Sequence, residues 1–374
     1  MIFLKLKIDN FYMFKDTAFD FTYPKKIKDS TLEGEFLDDF PNIKFKKVCI
    51  LMGANASGKT SLGKVMCFIN NYLLGRDLKG VPETICDKER NASVEVTYVS
   101  PSAHKIYKLI VEFDHDKLVS ENYSVCKLKK SYTLEQTLAE IENSPPTFTY
   151  NQEEMHGIEN PGFKSVARML GHELDGESVW NYTYSEFNTS IRLVQRAPNI
   201  KLLEAIFKTF DPSITRVNKI KGSIKNSFIV KFVNDDEIII EDGKINTPQR
   251  LSRGTIESID IAQLIHFMIS QGDGTFFLDE KMAYSHSEME VAILNLMIQA
   301  LSSNAQLFYT THNYDILEMN LPSHSYMFLR KDPFVKVAHP EKMGYTKNDR
   351  NLLGYVKNDV FNTLPDTTKI ETLL

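Results

Sequence analysis

The residues Gly53-Ala54-Asn55-Ala56-Ser57-Gly58-Lys59-Thr60 have the spacing G-x-x-x-x-G-K-T, which suits the gripping of a phosphate chain. Glycines at both ends let the backbone fold around phosphate oxygens. Successive N–H groups and a helix N-terminus supply partial positive charge, and Lys59 adds a full one. Thr60 offers a hydroxyl to magnesium, and Ser61 follows in the same anion-binding turn. A glycine turn with no ligand would need neither the Lys-Thr pair nor the strand and helix that flank it.

Three further stretches fit around that chemistry. Phe276-Phe277-Leu278-Asp279-Glu280 is an apolar strand ending in two carboxylates. Asp279 is expected to hold the metal through water, and Glu280 to polarise the water that attacks a terminal phosphate. An isolated Asp-Glu pair at a strand end is often only a solvated turn; a phosphate loop upstream argues for chemistry. Leu307-Phe308-Tyr309-Thr310-Thr311-His312 delivers a histidine 32 positions after Glu280, and a neutral imidazole there can hydrogen-bond the phosphate and the water. Leu251-Ser252-Arg253-Gly254-Thr255 opens a helix, where Ser252, Gly254 and the helix N-terminus form a second anion site. Taken alone, that pattern is equally a helix cap.

These residues need strands and helices to carry them. Val48-Cys49-Ile50-Leu51-Met52 is short and apolar and stops at Gly53, as a strand buried on both faces does, while Leu62, Val65, Met66, Ile69 and Leu73 have helical spacing. Alternation at Ile2-Leu4-Leu6-Ile8 and Ala18-Phe19-Phe21 predicts paired strands with a turn near Lys15-Asp16. Tyr23–Pro41 reads as a loop. Alternating segments recur from Asn91 to Lys130, predicting an antiparallel lobe. Residues 131–220 read as mainly helical, with pieces at Leu134–Ile141, Lys164–Leu170 and Lys201–Phe210 broken by Pro145-Pro146 and Pro161-Gly162. A hairpin is predicted around Asn234-Asp235-Asp236. Helices over Thr255–Ser270 and Ser285–Leu301 alternate with strands at Thr275–Leu278 and Gln306–Tyr309, which implies a parallel α/β sheet.

Composition narrows the class. Of 374 residues, 44 are basic and 49 acidic, a net charge of −5, so a protein that coats nucleic acid by its overall field is excluded. Lysines at 127, 129 and 130, and at 219, 221, 225 and 231, form clusters that read more simply as solvated faces than as a nucleic-acid surface. Trp180, Tyr182 and Tyr184 read as core packing ahead of a partner surface. Cys49, Cys67, Cys86 and Cys126 lie apart, without zinc-site spacing, and read as reduced thiols. The opening residues alternate rather than forming an apolar run, and no apolar stretch is long enough to span a bilayer; the expectation is a cytoplasmic protein with no membrane contact.

The order of phosphate loop, LSRGT, FFLDE and TTH resembles that of the ABC-type ATPases that include the SMC, RecF and OLD families, as does the opening strand followed by Asn10-Phe11. LSRGT, the DEKMAYSH stretch with His286, and TTHNYDIL most resemble short AAA-annotated ATPases of bacterial phage-defence operons, such as the PARIS ATPase subunit and Septu-like ATPases. Arg253 and Thr255 depart from the usual signature, in which a second glycine and a Gln or Glu stand.

The resemblance implies a P-loop NTPase of ABC-head type: a parallel sheet core with an antiparallel β lobe and a helical insertion. It implies ATP and Mg2+ as ligands. It also implies a homodimer in which the loop of one head faces Ser252 and Gly254 of the other. The expected segments are residues 1–130 and 221–330 for the two parts of the head, 131–220 for the insertion, and 331–374 for a tail that contacts a partner. The 190 residues between loop and signature (61–250) leave no room for SMC-length coiled coils, and the 62 after His312 none for the Toprim nuclease of OLD proteins. The expected role is therefore a sensing subunit that controls a separate effector, a nuclease or toxin. The alternatives are a RecF-like clamp on DNA and an ATP-locked scaffold with little turnover.

Overall fold

The computed structural model describes residues 1–23, 31–153, 160–174, 180–184, 199–220, 227–241, 244–283, 285–345, 352–364 and 371. Strands β1 (Ile2–Asp9), β2 (Thr17–Asp20), β3 (Phe36–Leu37), β4 (Phe40–Lys44) and β5 (Val48–Met52) precede helix α1 (Lys59–Leu73) and the single turn α2 (Val81–Thr84). Three long strands follow, β6 (Ala92–Ser100), β7 (Lys105–Phe113) and β8 (Leu118–Lys127), then α3 (Leu134–Asn143), β9 (Phe148–Asn151), α4 (Val166–Met169) and β10 (Trp180–Tyr184). Next are α5 (Ile200–Phe210), β11 (Ile214–Lys219), β12 (Ser227–Phe232), β13 (Glu237–Glu241), β14 (Lys244–Ile245) and α6 (Arg253–Gln271). The chain continues through β15 (Gly274–Asp279), α7 (Ser287–Ala300), β16 (Ala305–Thr311), β17 (Tyr326–Asp332), β18 (Phe334–Ala338) and α8 (Leu352–Lys357). No described helix is long and apolar enough to cross a membrane.

The chain divides into two compact units: residues 1–182, 273–277 and 303–374, and residues 183–272 and 278–302. In the first unit, β2-β1-β6-β7-β8-β9 form an antiparallel sheet, and the core sheet has the order β10-β15-β16-β5-β17-β18. β5 runs parallel to both β16 and β17, while β18 returns antiparallel at the edge. All five residues of β5 are buried, as its uninterrupted apolar run requires. Phe308 is a hub of this unit, its ring 5.0 Å from that of Phe21, 5.8 Å from Phe277 and 6.3 Å from Phe3. Buried Gln306 ties β1 to the core sheet: its Nε2 donates to the carbonyls of Phe3 and Lys46, and its Oε1 accepts from Phe3 N–H.

The second unit packs α5 on α6 and on a four-stranded antiparallel sheet of order β11-β12-β13-β14. β13 alternates strictly, with Ile238 and Ile240 inside and Glu237, Ile239 and Glu241 outside. Asn199 caps α5, whose Leu203, Ile206 and Phe207 form the buried stripe.

Three expectations are corrected. Tyr23–Pro41 is not a loop throughout, because Phe36–Leu37 pairs with β4. The described part of residues 131–220 is not mainly helical: Phe148–Asn151, for one, pairs with β8, a free sheet edge capturing a segment too short to declare itself by alternation. Residues 331–338 are no appendage, since they end β17 and form β18 in the core sheet. The side chains of Trp180, Tyr182 and Tyr184, and all of Lys221 and Lys225, lie outside the described residues.

Candidate functional site

β5 hands directly over to the glycine loop, and two packing constraints explain its glycines. At Gly53 (φ 152°) a β-carbon would lie 2.1 Å from the carbonyl oxygen of Leu329 on β17, far inside van der Waals contact. At Gly58 (φ 106°) it would press on Val335 of β18 at 2.8 Å. Both positions also need a backbone conformation that side chains disfavour. Gly58 caps α1, and Leu62 N–H is the first to reach a carbonyl of the turn, that of Gly58 at 2.9 Å. Helix geometry leaves the N–H groups of a first turn without an i−4 acceptor, the kind of end at which anions bind.

Lys59 is buried, and its ammonium folds back to donate to the carbonyls of Gly53 (2.9 Å) and Ala54 (3.2 Å). The cation is thus held over the loop instead of reaching into solvent. Ser57 Oγ is buried with no partner among the described residues, a polar atom that costs free energy until a ligand or water meets it. Asn55, Ala56 and Thr60 are exposed on the loop, and Ser61 is partly so. A closed glycine backbone, an inward lysine and an orphan hydroxyl fit a polyphosphate.

His312 reaches the same place by strand register. β16 pairs with β5 so that Thr311 lies opposite Met52; one residue later each strand ends, and His312 Nδ1 stands 3.0 Å from the carbonyl oxygen of Gly53. Asn313 then starts a short 3-10 turn, Tyr314–Glu318, by accepting from Asp315 N–H.

Loop and histidine open into a cavity of about 890 Å³. Its walls include Gly53, Asn55 and His312 on one side, the end of β17 (Arg330, Lys331) in the middle, and Asp359 and Asn362 beyond α8 on the other. The residues from β17 and from beyond α8 escaped the sequence reading. The apolar run Tyr326–Leu329, bounded by Ser325 and Arg330, was a legible strand signal; nothing local marks the segment beyond α8.

The other expected site residues belong to the second unit. Asp279 is buried at the end of β15, and Glu280 follows in the left-handed region at φ 49°, a conformation that costs a non-glycine residue about 1 kcal/mol and re-aims its carboxylate. Ser252 is the N-cap of α6: its Oγ accepts from Thr255 N–H at 3.0 Å and lies 2.8 Å from Thr255 Oγ1. Gly254 is buried in the first turn, and Arg253 pairs with Glu257 at 3.4 Å. The structure thus shows Ser252 as the helix cap. Among the described residues no three His, Cys, Asp or Glu side chains converge as a metal centre.

No family model and no curated protein matches the chain. Among solved structures it is similar to an SMC head bound to the C-winged helix domain of ScpA, at 12% identity and TM-score 0.50 over 92% of this chain and 99% of that one. An Smc head domain with an extended coiled coil, bound to the C-terminal domain of ScpA derived from Pyrococcus furiosus, matches at 11% identity and TM-score 0.49, covering 92% and 98%. The recombination mediator RecF matches at 10% and 0.42, covering 90% and 97%. The first likeness gives the fold: a mixed α/β head of the ABC-ATPase type.

Proposed function

We propose that this chain binds and hydrolyses ATP as an ABC-type ATPase. The carrying observation is the loop Gly53–Thr60, closed by packing on β17 and β18, with buried Lys59 folded over it and His312 delivered to its first carbonyl. Backbone N–H groups at the start of α1 and the Lys59 ammonium hold the phosphates. His312 orients the terminal phosphate and the attacking water. Glu280 polarises that water, and Asp279 and Thr60 are the metal ligands. Mg2+, when bound, neutralises charge on the phosphate oxygens.

The finer reading is a homodimer closed around ATP, in which Ser252 and Gly254 of one head meet the nucleotide of the other. Its output is control of a separate effector in a phage-defence system. Support comes from the LSRGT, DEKMAYSH and TTHNYDIL stretches and from the SMC heads of similar fold, one solved with a winged-helix partner.

Lys59→Ala should abolish ATP binding in calorimetry, since the loop amides alone do not offset a triphosphate's charge. Glu280→Gln should bind ATP normally and hydrolyse it at least about 100-fold more slowly. Retained binding in the first variant, or unchanged turnover in the second, would contradict the assignment. ATP-dependent, salt-sensitive binding of duplex DNA would favour the clamp over the sensor.

A further inference from the structure

The cavity beside the loop holds a cation that the proposed chemistry has not used. Leu329 carries its carbonyl oxygen against Gly53 so closely that a β-carbon there would meet it at 2.1 Å. The Leu329–Arg330 peptide therefore lies on the first glycine of the loop. Side chains alternate along β17: Met327 and Leu329 enter the hydrophobic core, while Phe328 and Arg330 face the other way. Phe328 is covered by Phe361, ring on ring at 4.3 Å and 7°. Arg330, half-buried two residues further along that face, lines the cavity with His312 and Asn55.

The charges around it leave Arg330 available. Asp359, on the opposite wall, spends its Oδ1 on the N–H groups of Thr363 (2.7 Å) and Leu364 (3.0 Å). Lys331 and Asp332 are exposed at the strand end. Among the described residues no carboxylate pairs with Arg330. An always-charged, forked donor held in a cavity next to a phosphate loop matches the oxygens of a phosphoryl group. Gly53 is also the residue that His312 reaches, so Arg330 and His312 flank the same end of the loop.

We infer that Arg330 binds the terminal phosphate of the nucleoside triphosphate and makes this site prefer a triphosphate over a diphosphate. The inference rests on the ATP-binding reading above. The segment beyond α8 serves as the wall that keeps Arg330 directed at the loop, through Phe361 on Phe328 and through α8 packed on the 3-10 turn that follows His312.

The test is calorimetric titration of the full chain with Mg2+–ATP and, separately, Mg2+–ADP. Arg330→Ala should weaken ATP about 10- to 100-fold, the loss of a charge-assisted contact, and change ADP less than about twofold. Arg330→Lys should recover part of the ATP affinity, and Lys201→Ala, which removes an exposed lysine of α5 outside the cavity, should alter neither nucleotide. Should the alanine variant fail to fold, Arg330→Gln keeps the stem and removes the charge, with the same expected split. Equal losses for ATP and ADP, or none, would overturn the role of Arg330 and leave the ATP reading standing. A wild-type chain that binds no ATP, or whose Lys59→Ala variant binds it unchanged, would overturn both.

Discussion

Gly53 shows how much one residue decides here. Its missing side chain lets β17 press a carbonyl oxygen onto the loop and keeps His312 and Lys59 converging on the same carbonyl group. Gly53→Ala should therefore do two things at once. It should cost about 2 kcal/mol or more, because the opposing atom is backbone and the φ is unfavourable. It should also lose nucleotide binding. Urea unfolding and calorimetry on the same sample test the pair; a variant of normal stability would mean that β17 yields freely. Glu280 is the converse case, a side chain standing at φ 49°, where glycine would be easier.

Two of the functional elements meet by register. β5 and β16 are parallel and end level, so a five-residue and a seven-residue strand place a loop and a histidine side by side, where His312 Nδ1 meets the Gly53 carbonyl oxygen. α6 raises a different question, because Ser252 is both its cap and the expected contact for a second head. Ser252→Ala should cost about 1 kcal/mol of stability as a lost cap. A cap alone predicts no more than that. The signature reading also predicts that turnover falls at least about 10-fold while Lys59-dependent ATP binding stays intact. Turnover that merely follows the small stability loss would reduce Leu251–Thr255 to a helix cap.

At the scale of the whole molecule, the dimer reading makes a mixing experiment decisive. Ser252→Arg and Lys59→Ala should each be inactive alone. Mixed, they place an intact loop opposite an intact signature, and partial ATPase activity should return; a mixture of exchanging subunits as inactive as its components would count against sharing between chains. Acid stability tests the first unit's core instead. Lys46, fully buried, pairs with Glu341 at 2.6 Å and with His339 Nδ1 at 3.2 Å, and the Lys342–Asp20 pair adds charge nearby. Burial first, then the ammonium groups of Lys46 and Lys342, push the His339 imidazole down to about 3. Its unfolded form protonates near pH 6.5 while the folded form stays neutral, so the unfolded state binds more protons and stability falls as pH drops from about 6.5 towards 3. His339→Gln should flatten that acid limb by up to about 1.4 kcal/mol per pH unit in urea unfolding between pH 6 and 5. An unchanged slope would show that His339 does not set it.

Much of the candidate site is legible in the sequence because the patterns that propose it are local. A G-x-x-x-x-G-K-T loop after a five-residue apolar strand, an Asp-Glu pair ending another, and a histidine after a third each declare themselves within a dozen residues, as do α1, α6, α7 and the hairpin of β12 and β13. Short-range spacing carries them because the strand-to-loop handover needs only neighbouring residues. What only the tertiary structure decided are the partners those residues meet: that Leu329 closes on Gly53, that Val335 closes on Gly58, and that residues beyond 331 belong to the core sheet and the cavity wall. The same holds for Phe148–Asn151, a strand because β8 offers it an edge. Such pairings join residues from 25 positions apart (Tyr123 and Phe148) to 277 (Gly58 and Val335), and their free energy comes from contacts that exist only once the sheets have assembled, so no periodicity within either segment records them.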